Sequence, residues 1–254
     1  MNLGLQGKQA VVTGSTAGIG LAIASTFAEE GARVAGALDS IRQRAKSADV
    51  RGIACDLGNS EGVAHFIEQV PEADILVNNL GIFEVKPFLE IPDSDWVRFF
   101  AVNVLSGVRL TRHFLPGMLR KNWGRVIFIS SESALQIPAE MIHYGVTKTA
   151  QVALARGLAE SVAGTSVTVN SVLPGPTSSE GATSFVQDVA RRQGVSIAEI
   201  ERQFFATVRS SSLLKRFETP EEVAAVVAFV ASAQGAIING AAVRAEGGIL
   251  RNIL

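Results

Sequence analysis

From residue 9 to residue 245 short apolar runs rich in β-forming residues alternate with longer segments of helical period, and this alternation leaves few folds open. The apolar runs are 9–13 (QAVVT), 33–38 (RVAGAL), 51–55 (RGIAC), 74–78 (DILVN), 125–130 (RVIFIS), 167–173 (VTVNSVL) and 241–245 (AAVRA). Most lack strict polar alternation, as parallel strands do when both faces are covered. Helical periodicity fills 18–30, 60–69, 95–121, 144–163 and 220–232. Strands separated by helices imply right-handed βαβ crossovers, hence an α/β fold: a doubly wound parallel sheet of about seven strands in a three-layer αβα arrangement. No repeat, low-complexity tract or Pro/Gly/Ser linker divides the chain, so residues 1–254 read as a single domain. A chain of 254 residues buries enough surface to hold a core without disulfides or metals.

The segment 176–215 breaks the rhythm, with two helical patterns and no strand between them. It opens on the turn-rich PGPTSSEG and carries Phe185, Phe204, Phe205, Leu213 and Leu214. A helical excursion of this kind reads as a lid over a substrate site.

Composition excludes several classes. The formal net charge of −1 gives no general attraction to nucleic acid or an anionic membrane. Cys55 is the only cysteine, which rules out an internal disulfide, and its neighbours Ala54 and Asp56 mark it as a small strand-end residue. His65, His113 and His143 form no metal-ligand pattern, so no metal is expected. The start lacks the layout of a signal peptide and no apolar run spans a bilayer, which suggests a soluble, cytoplasmic protein.

Thr13-Gly14-Ser15-Thr16-Ala17-Gly18-Ile19-Gly20 follows the first strand and opens the first helix. Glycines there let the backbone turn sharply and let a pyrophosphate approach the helix N-terminus, where free N–H groups and the helix dipole favour anions. The segment lacks the Gly-Lys-Ser/Thr ending of a mononucleotide phosphate loop. With Thr16 between Gly14 and Gly18 it is not a hydrolase nucleophile elbow either. In its strand-turn-helix setting it predicts dinucleotide binding.

Tyr144, the only tyrosine, lies four residues before Lys148 on one helical face. A free phenol titrates near pH ~10, and a fixed cation beside it favours the phenolate, which brings the group toward the range useful for proton transfer. A Tyr–Lys pair also arises by chance on helices. Two further residues argue against chance: Ser131 follows the fifth strand at the sheet edge where open α/β folds bind ligands, and Asn103 sits within a long helix, an unusual place for an amide.

With these residues in view, the chain resembles the short-chain dehydrogenase/reductase family in its one-domain, Rossmann-type form, along almost its whole length, in the manner of the 3-oxoacyl-carrier-protein reductases. Its glycine turn matches TGxxxGIG, Asn78-Asn79-Leu80-Gly81 stands where Asn-Asn-Ala-Gly is usual, Pro174-Gly175 follows the sixth strand, and Thr219-Pro-Glu-Glu-Val223 resembles the late helix start. Asn103, Ser131, Tyr144 and Lys148 match the catalytic tetrad. The resemblance implies that Tyr144 exchanges a proton with the substrate oxygen while Ser131 hydrogen-bonds it. Lys148 would hold the nicotinamide ribose and depress the Tyr144 pKa, and Asn103 would anchor a relay water. It further implies cofactor contacts from Gly14, Ser15, Gly18, Ile19 and Gly20, from Asp56 and Leu57 at the adenine, and from Asn79 and Gly81 at the ribose. Pro174, Gly175, Thr177 and Ser179 would face the nicotinamide.

Three departures stand out. Leu80 replaces a small alanine, the segment from Asp39 to Val50 is short, and Ala245-Glu246-Gly247-Gly248 replaces Val-Asp-Gly-Gly. Asp39 after the second strand and the neutral Ala17 in the glycine turn lean toward NAD, whereas Arg42 and Arg44 leave NADP open. The expected reaction is hydride transfer between a nicotinamide dinucleotide and a ketone or secondary alcohol. The pocket would draw on Glu132–Ala134, Ile137–His143 and the lid, with His143 itself structural or part of the pocket wall. A homodimer or homotetramer is implied. The rival readings are a catalytically silent dinucleotide-binding regulator, against which the intact tetrad argues, and a hydrolase, for which no Ser/His/Asp order exists.

Overall fold

The computed structural model describes residues 2–35 and 49–253. The chain runs β1 (Gln9–Val12), α1 (Gly18–Glu29), β2 (Arg33–Ala35), β3 (Val50–Arg51), α2 (Ser60–Gln69), β4 (Ile75–Asn78) and α3 (Asp93–Phe100). A π-helical turn (Ala101–Leu105) leads into α4 (Ser106–Arg120), followed by β5 (Gly124–Ile129), α5 (Ile142–Ser161) and β6 (Val167–Pro174). Last come α6 (Glu180–Gln193), α7 (Ile197–Thr207), α8 (Pro220–Ala231) and β7 (Ala242–Ala245). All seven strands join one parallel sheet in the order β3-β2-β1-β4-β5-β6-β7. The chain winds outward from β1 to β3, then returns to set β4 beside β1, which creates the crevice where open α/β sheets bind ligands.

Two cores explain the layering. On one face Ile23 and Phe27 of α1 and Val223, Val227 and Val230 of α8 pack on Ala10, Val12, Ile75, Val77, Ile127 and Ile129. On the other, Val63 and Phe66 of α2, Leu110, Phe114 and Met118 of α4 and Ala155 and Ala159 of α5 cover Val11, Leu76, Val126 and Phe128. Alternate strand residues thus serve opposite layers, and this accounts for the unbroken apolar runs. Burying a Leu, Ile or Phe side chain stabilises by about 1.5–3 kcal/mol, so the doubled core holds the loops at the C-terminal sheet edge in place. Helix α8 begins as its sequence suggests: the Thr219 hydroxyl accepts from Glu222 N at 3.2 Å, Glu222 accepts from Thr219 N at 2.8 Å, and Pro220 takes the first turn.

Three expectations need adjusting. The strand expected at 51–55 pairs with β2 only through Val50 and Arg51, because it is the sheet edge and the chain beyond it turns down onto the second core through Ile53 and Cys55. The strand expected at 33–38 is seen as Arg33–Ala35, its remainder lying outside the described residues. The helix expected at 95–121 begins at Asp93, after Pro92, and widens into the π turn at Ala101–Leu105. Segment 176–215 holds two helices and no strand, as expected. Among the described residues no helix is long and apolar enough to cross a membrane.

Candidate active site

Four loops meet at the C-terminal edge of the sheet, one each after β1, β4, β5 and β6. The first is the glycine cradle. Gly14 and Gly18 have φ of +61° and +53°, which favour glycine. A Cβ on Gly20 would stand 2.3 Å from the Gly14 carbonyl oxygen and 2.4 Å from Asn79 Nδ2. Helix α1 is preceded by Ala17 at its N-cap, with no side-chain cap and no acidic residue in its first turn. Its leading N–H groups are therefore turned to the cradle with no acidic side chain from the helix's own first turn beside them, which suits a pyrophosphate.

Asn79 fastens the second loop to the first. Its Nδ2 donates to the carbonyls of Thr13 (2.9 Å) and Gly14 (3.1 Å), and the Thr13 hydroxyl accepts from the N–H groups of Asn79 and Leu80 at 2.9 Å each. Leu80 packs against the second core, so the larger side chain is accommodated inward. Ser15 is buried, Ile19 packs on the first core, and Ser179 approaches Gly18 so closely that a Cβ there would lie 3.0 Å from its own. Asp56 is exposed and accepts from Gly58 N at 2.9 Å and Asn59 Nδ2 at 2.8 Å, while Leu57 is buried beneath it. Gly175 N donates to Ala245 O at 3.1 Å, and Thr177 Oγ1 donates to Gly175 O at 3.0 Å. Asp39 lies outside the described residues.

The tetrad residues come together in one hydrogen-bonded network. Ser131 caps a short 3-10 turn, Glu132–Ala134, by accepting from Ser133 N at 3.1 Å. Ser130 Oγ donates to Lys148 O at 2.8 Å and ties the strand end to α5. Lys148 Nζ donates to Ile129 O at 2.9 Å and Gln151 Oε1 at 3.3 Å, and Gln151 Nε2 donates to Asn103 O at 2.5 Å. The Asn103 side chain accepts from Ile82 N at 2.8 Å and donates to Ile82 O at 3.0 Å and Thr147 Oγ1 at 2.9 Å. The π turn places the Asn103 carbonyl opposite Gln151 and its amide opposite the loop after β4, so one residue braces both.

Tyr144 projects into this network, hydrogen-bonded to Ser131, its ring 6.5 Å from that of Phe83 and 5.6 Å from Lys148 Nζ. Burial and the nearby Glu132 charge push the phenol well above its ordinary range, against the Ser131 hydrogen bond and Arg209. The depression by Lys148 expected from the sequence does not appear among the protein's own groups. The ammonium is engaged with Ile129 and Gln151, and burial pushes its own pKa down to about 8. Among the described residues no group of His, Cys, Asp and Glu would hold a metal ion.

Sequence reasoning missed Gln151, Thr147 and Arg209. Gln151 carried a signal, three residues after Lys148 on the same helical face. Arg209 carried none, since its ion pair with Glu132 (2.9 Å) spans 77 positions. His143 is the structural residue expected: fully buried, its ring centre 4.0 Å from Phe99, and held below the usual imidazole range by burial.

A seven-stranded doubly wound sheet with a glycine cradle and a Ser-Tyr-Lys-Asn network at its switch point defines a nicotinamide-dependent oxidoreductase. The family model described as short chain dehydrogenase matches residues 8–190, and the chain belongs to that family. It is 46% identical to "Uncharacterized oxidoreductase YvaG" of Bacillus subtilis (strain 168), with both chains covered completely. It is 33% identical to "D-beta-hydroxybutyrate dehydrogenase" of Rhizobium meliloti (strain 1021), over 95% of this chain and 98% of that one. Among solved structures, L-sorbose reductase from Gluconobacter frateurii, complexed with NADPH and L-sorbose, superposes with a TM-score of 0.93 at 31% identity, covering 100% of both chains. The protein is thus an NAD(P)-dependent oxidoreductase.

Proposed function

We propose that Tyr144 is the proton donor and acceptor for interconversion of a small ketone and its secondary alcohol, with Ser131, Lys148 and Asn103 completing the site. The observation that carries this reading is the network joining all four residues beside the glycine cradle. When bound, the nicotinamide dinucleotide supplies or accepts the hydride. Gly14, Ser15, Gly18, Ile19 and Gly20 would hold its pyrophosphate. Asp56, Leu57, Asn79 and Gly81 would border the adenosine, with Pro174, Gly175, Thr177 and Ser179 at the nicotinamide end.

In the reducing direction the raised phenol pKa keeps Tyr144 protonated and able to donate to the developing alkoxide. Ser131 orients the same oxygen. Lys148 lies close enough to Gly81 that a Cβ there would stand 3.4 Å from Nζ, so its ammonium faces the cradle side and would meet the ribose. In the oxidising direction Tyr144 must first lose its proton, and a positive charge arriving nearby favours that loss.

Residues 1–254 act as a single domain in this reading, with 176–215 as a lid anchored by the Thr177–Glu218 bridge and the stacked rings of Phe204 and Phe217, 5.4 Å apart. It works in the cytoplasm as a homodimer or homotetramer. Asp39 and the neutral Ala17 support NAD as the preferred dinucleotide.

The test is nicotinamide absorbance with NADH and NADPH against a panel of ketones. Tyr144→Phe is expected to lower turnover by about 10²–10⁴-fold with dinucleotide affinity nearly unchanged. Retained turnover would refute the assignment. Asp39→Ala should weaken NADH more than NADPH, and equal loss would remove the preference for NAD.

A further inference from the structure

The hydroxyl of Ser131 has a single proton, for which the Glu132 carboxylate and the Tyr144 oxygen compete. Ser131 Oγ donates to Glu132 Oε2 at 2.5 Å, a charge-assisted contact of the short, strong kind. Its oxygen meanwhile accepts from Ser133 N at 3.1 Å and is hydrogen-bonded to Tyr144. The carboxylate is itself held: Arg209, in the turn after α7, donates Nε to Glu132 Oε1 at 2.9 Å. Both partners are almost wholly buried, with side chains 9% and 5% exposed. Arg209 also stands 3.6 Å from Glu140 and lies over the Phe204 ring at 6.0 Å. The lid thus reaches the serine through one ion pair.

We propose that Glu132 and Arg209 are positioning residues of this site: the lid arginine holds the glutamate, the glutamate holds the proton of Ser131, and docking of the lid sets where that proton points. The inference rests on the reading of Tyr144 and Ser131 given above. Its physical basis is competition for one proton. A glutamate without its arginine is a stronger acceptor, so Ser131 stays turned toward it and Tyr144 stays protonated. A glutamate neutralised by Arg209 gives up the Ser131 proton more readily to a substrate oxygen. The charged groups around the Tyr144 hydroxyl are Glu132 from the 3-10 turn, Arg209 from the lid, Glu140 behind Arg209, and Lys148 on the tyrosine's own helix.

The chain's single tyrosine allows a test that needs neither substrate nor cofactor, since near-ultraviolet tyrosinate absorbance reports Tyr144 alone. In an alkaline titration carried above the ordinary phenol range of pH ~10, to where the raised Tyr144 ionises, Glu132→Gln should show more tyrosinate than the wild type at each pH, corresponding to a downward shift on the order of one pH unit. Arg209→Met should show less, Arg209→Lys should return to the wild-type level, and Glu132→Gln with Arg209→Met should lie between the single variants. Alcohol oxidation should follow, its rise with pH moving down for Glu132→Gln and up for Arg209→Met. Thermal melts establish that each variant is folded, with the conservative Glu132→Gln and Arg209→Lys sufficing if Arg209→Met is not. Tyrosinate fractions that match the wild type, or that move the same way in Glu132→Gln and Arg209→Met, overturn the proposal. Because the titration does not depend on turnover, it is separate from the Tyr144→Phe assay, whose failure would remove the catalytic reading itself.

Discussion

Lys148 donates to the carbonyl of Ile129 across 2.9 Å, so the ammonium of α5 is anchored on the last residue of β5. That carbonyl lies at the strand terminus, where the ladder ends and an acceptor is left over for a side chain. Burial holds the ammonium at a pKa of about 8 instead of the usual lysine value. Between those two values the unfolded chain binds more protons than the folded one, so the Lys148 contribution makes stability rise with pH. Thermal unfolding of wild type and Lys148→Met across this alkaline window should show the steeper rise in the wild type. Parallel curves would rule the account out.

Gln151 is fully buried and joins Asn103 to Lys148. Gln151→Leu keeps the volume and removes both hydrogen bonds. Displacing the lysine by a fraction of an ångström should lower turnover by roughly tenfold or more while the melting temperature falls by only a few degrees. Full activity in this variant would show that Lys148 needs no second partner.

Gly20 has no room for a methyl group, because a Cβ would overlap the Gly14 carbonyl oxygen and the Asn79 amide. Gly20→Ala should spread the cradle and weaken dinucleotide binding by about tenfold or more, a loss of roughly 1.4 kcal/mol. Dinucleotide fluorescence titration measures it, with circular dichroism to confirm the fold. Unchanged affinity would place the pyrophosphate elsewhere.

Glu218, buried beneath the loop after β6, accepts from Gly175 N at 3.1 Å. Burial, then the neighbouring carboxylates Glu132, Glu246 and Glu222, push its pKa up to about 7. Between its unfolded value near ~4.3 and about 7 the folded state binds the extra proton, so this group's stability contribution is present at acid pH and is lost as pH rises. Glu218→Gln keeps an acceptor for Gly175 and should flatten the fall in melting temperature between about pH 5 and 7.5. Equal slopes in the two proteins would exclude Glu218 as the source.

Much of this molecule is local enough to read along the chain. The apolar runs and helical periods give the number and order of the seven strands and place all but the edge strand Val50–Arg51, because a parallel strand covered on both faces and a helix with one buried stripe each leave their own period. The glycine turn is equally legible, since only a residue without a Cβ fits where Gly14, Asn79 and Gly20 meet. Tyr144 and Lys148 were readable as a helical pair.

Tertiary structure alone decided the rest. Sheet order brings Ser131, Asn103 and Tyr144 into one network from three separate segments. The π turn directs the Asn103 carbonyl to Gln151, and the lid returns across 77 positions to set Arg209 on Glu132. These contacts have no period or local signature. They depend on low-dielectric burial, which lowers Lys148 and raises Tyr144 only once the surrounding layers have closed. The sequence by itself singled out the residues proposed for the chemistry, and packing decided how burial shifts Lys148 and Tyr144 and which neighbours hold them.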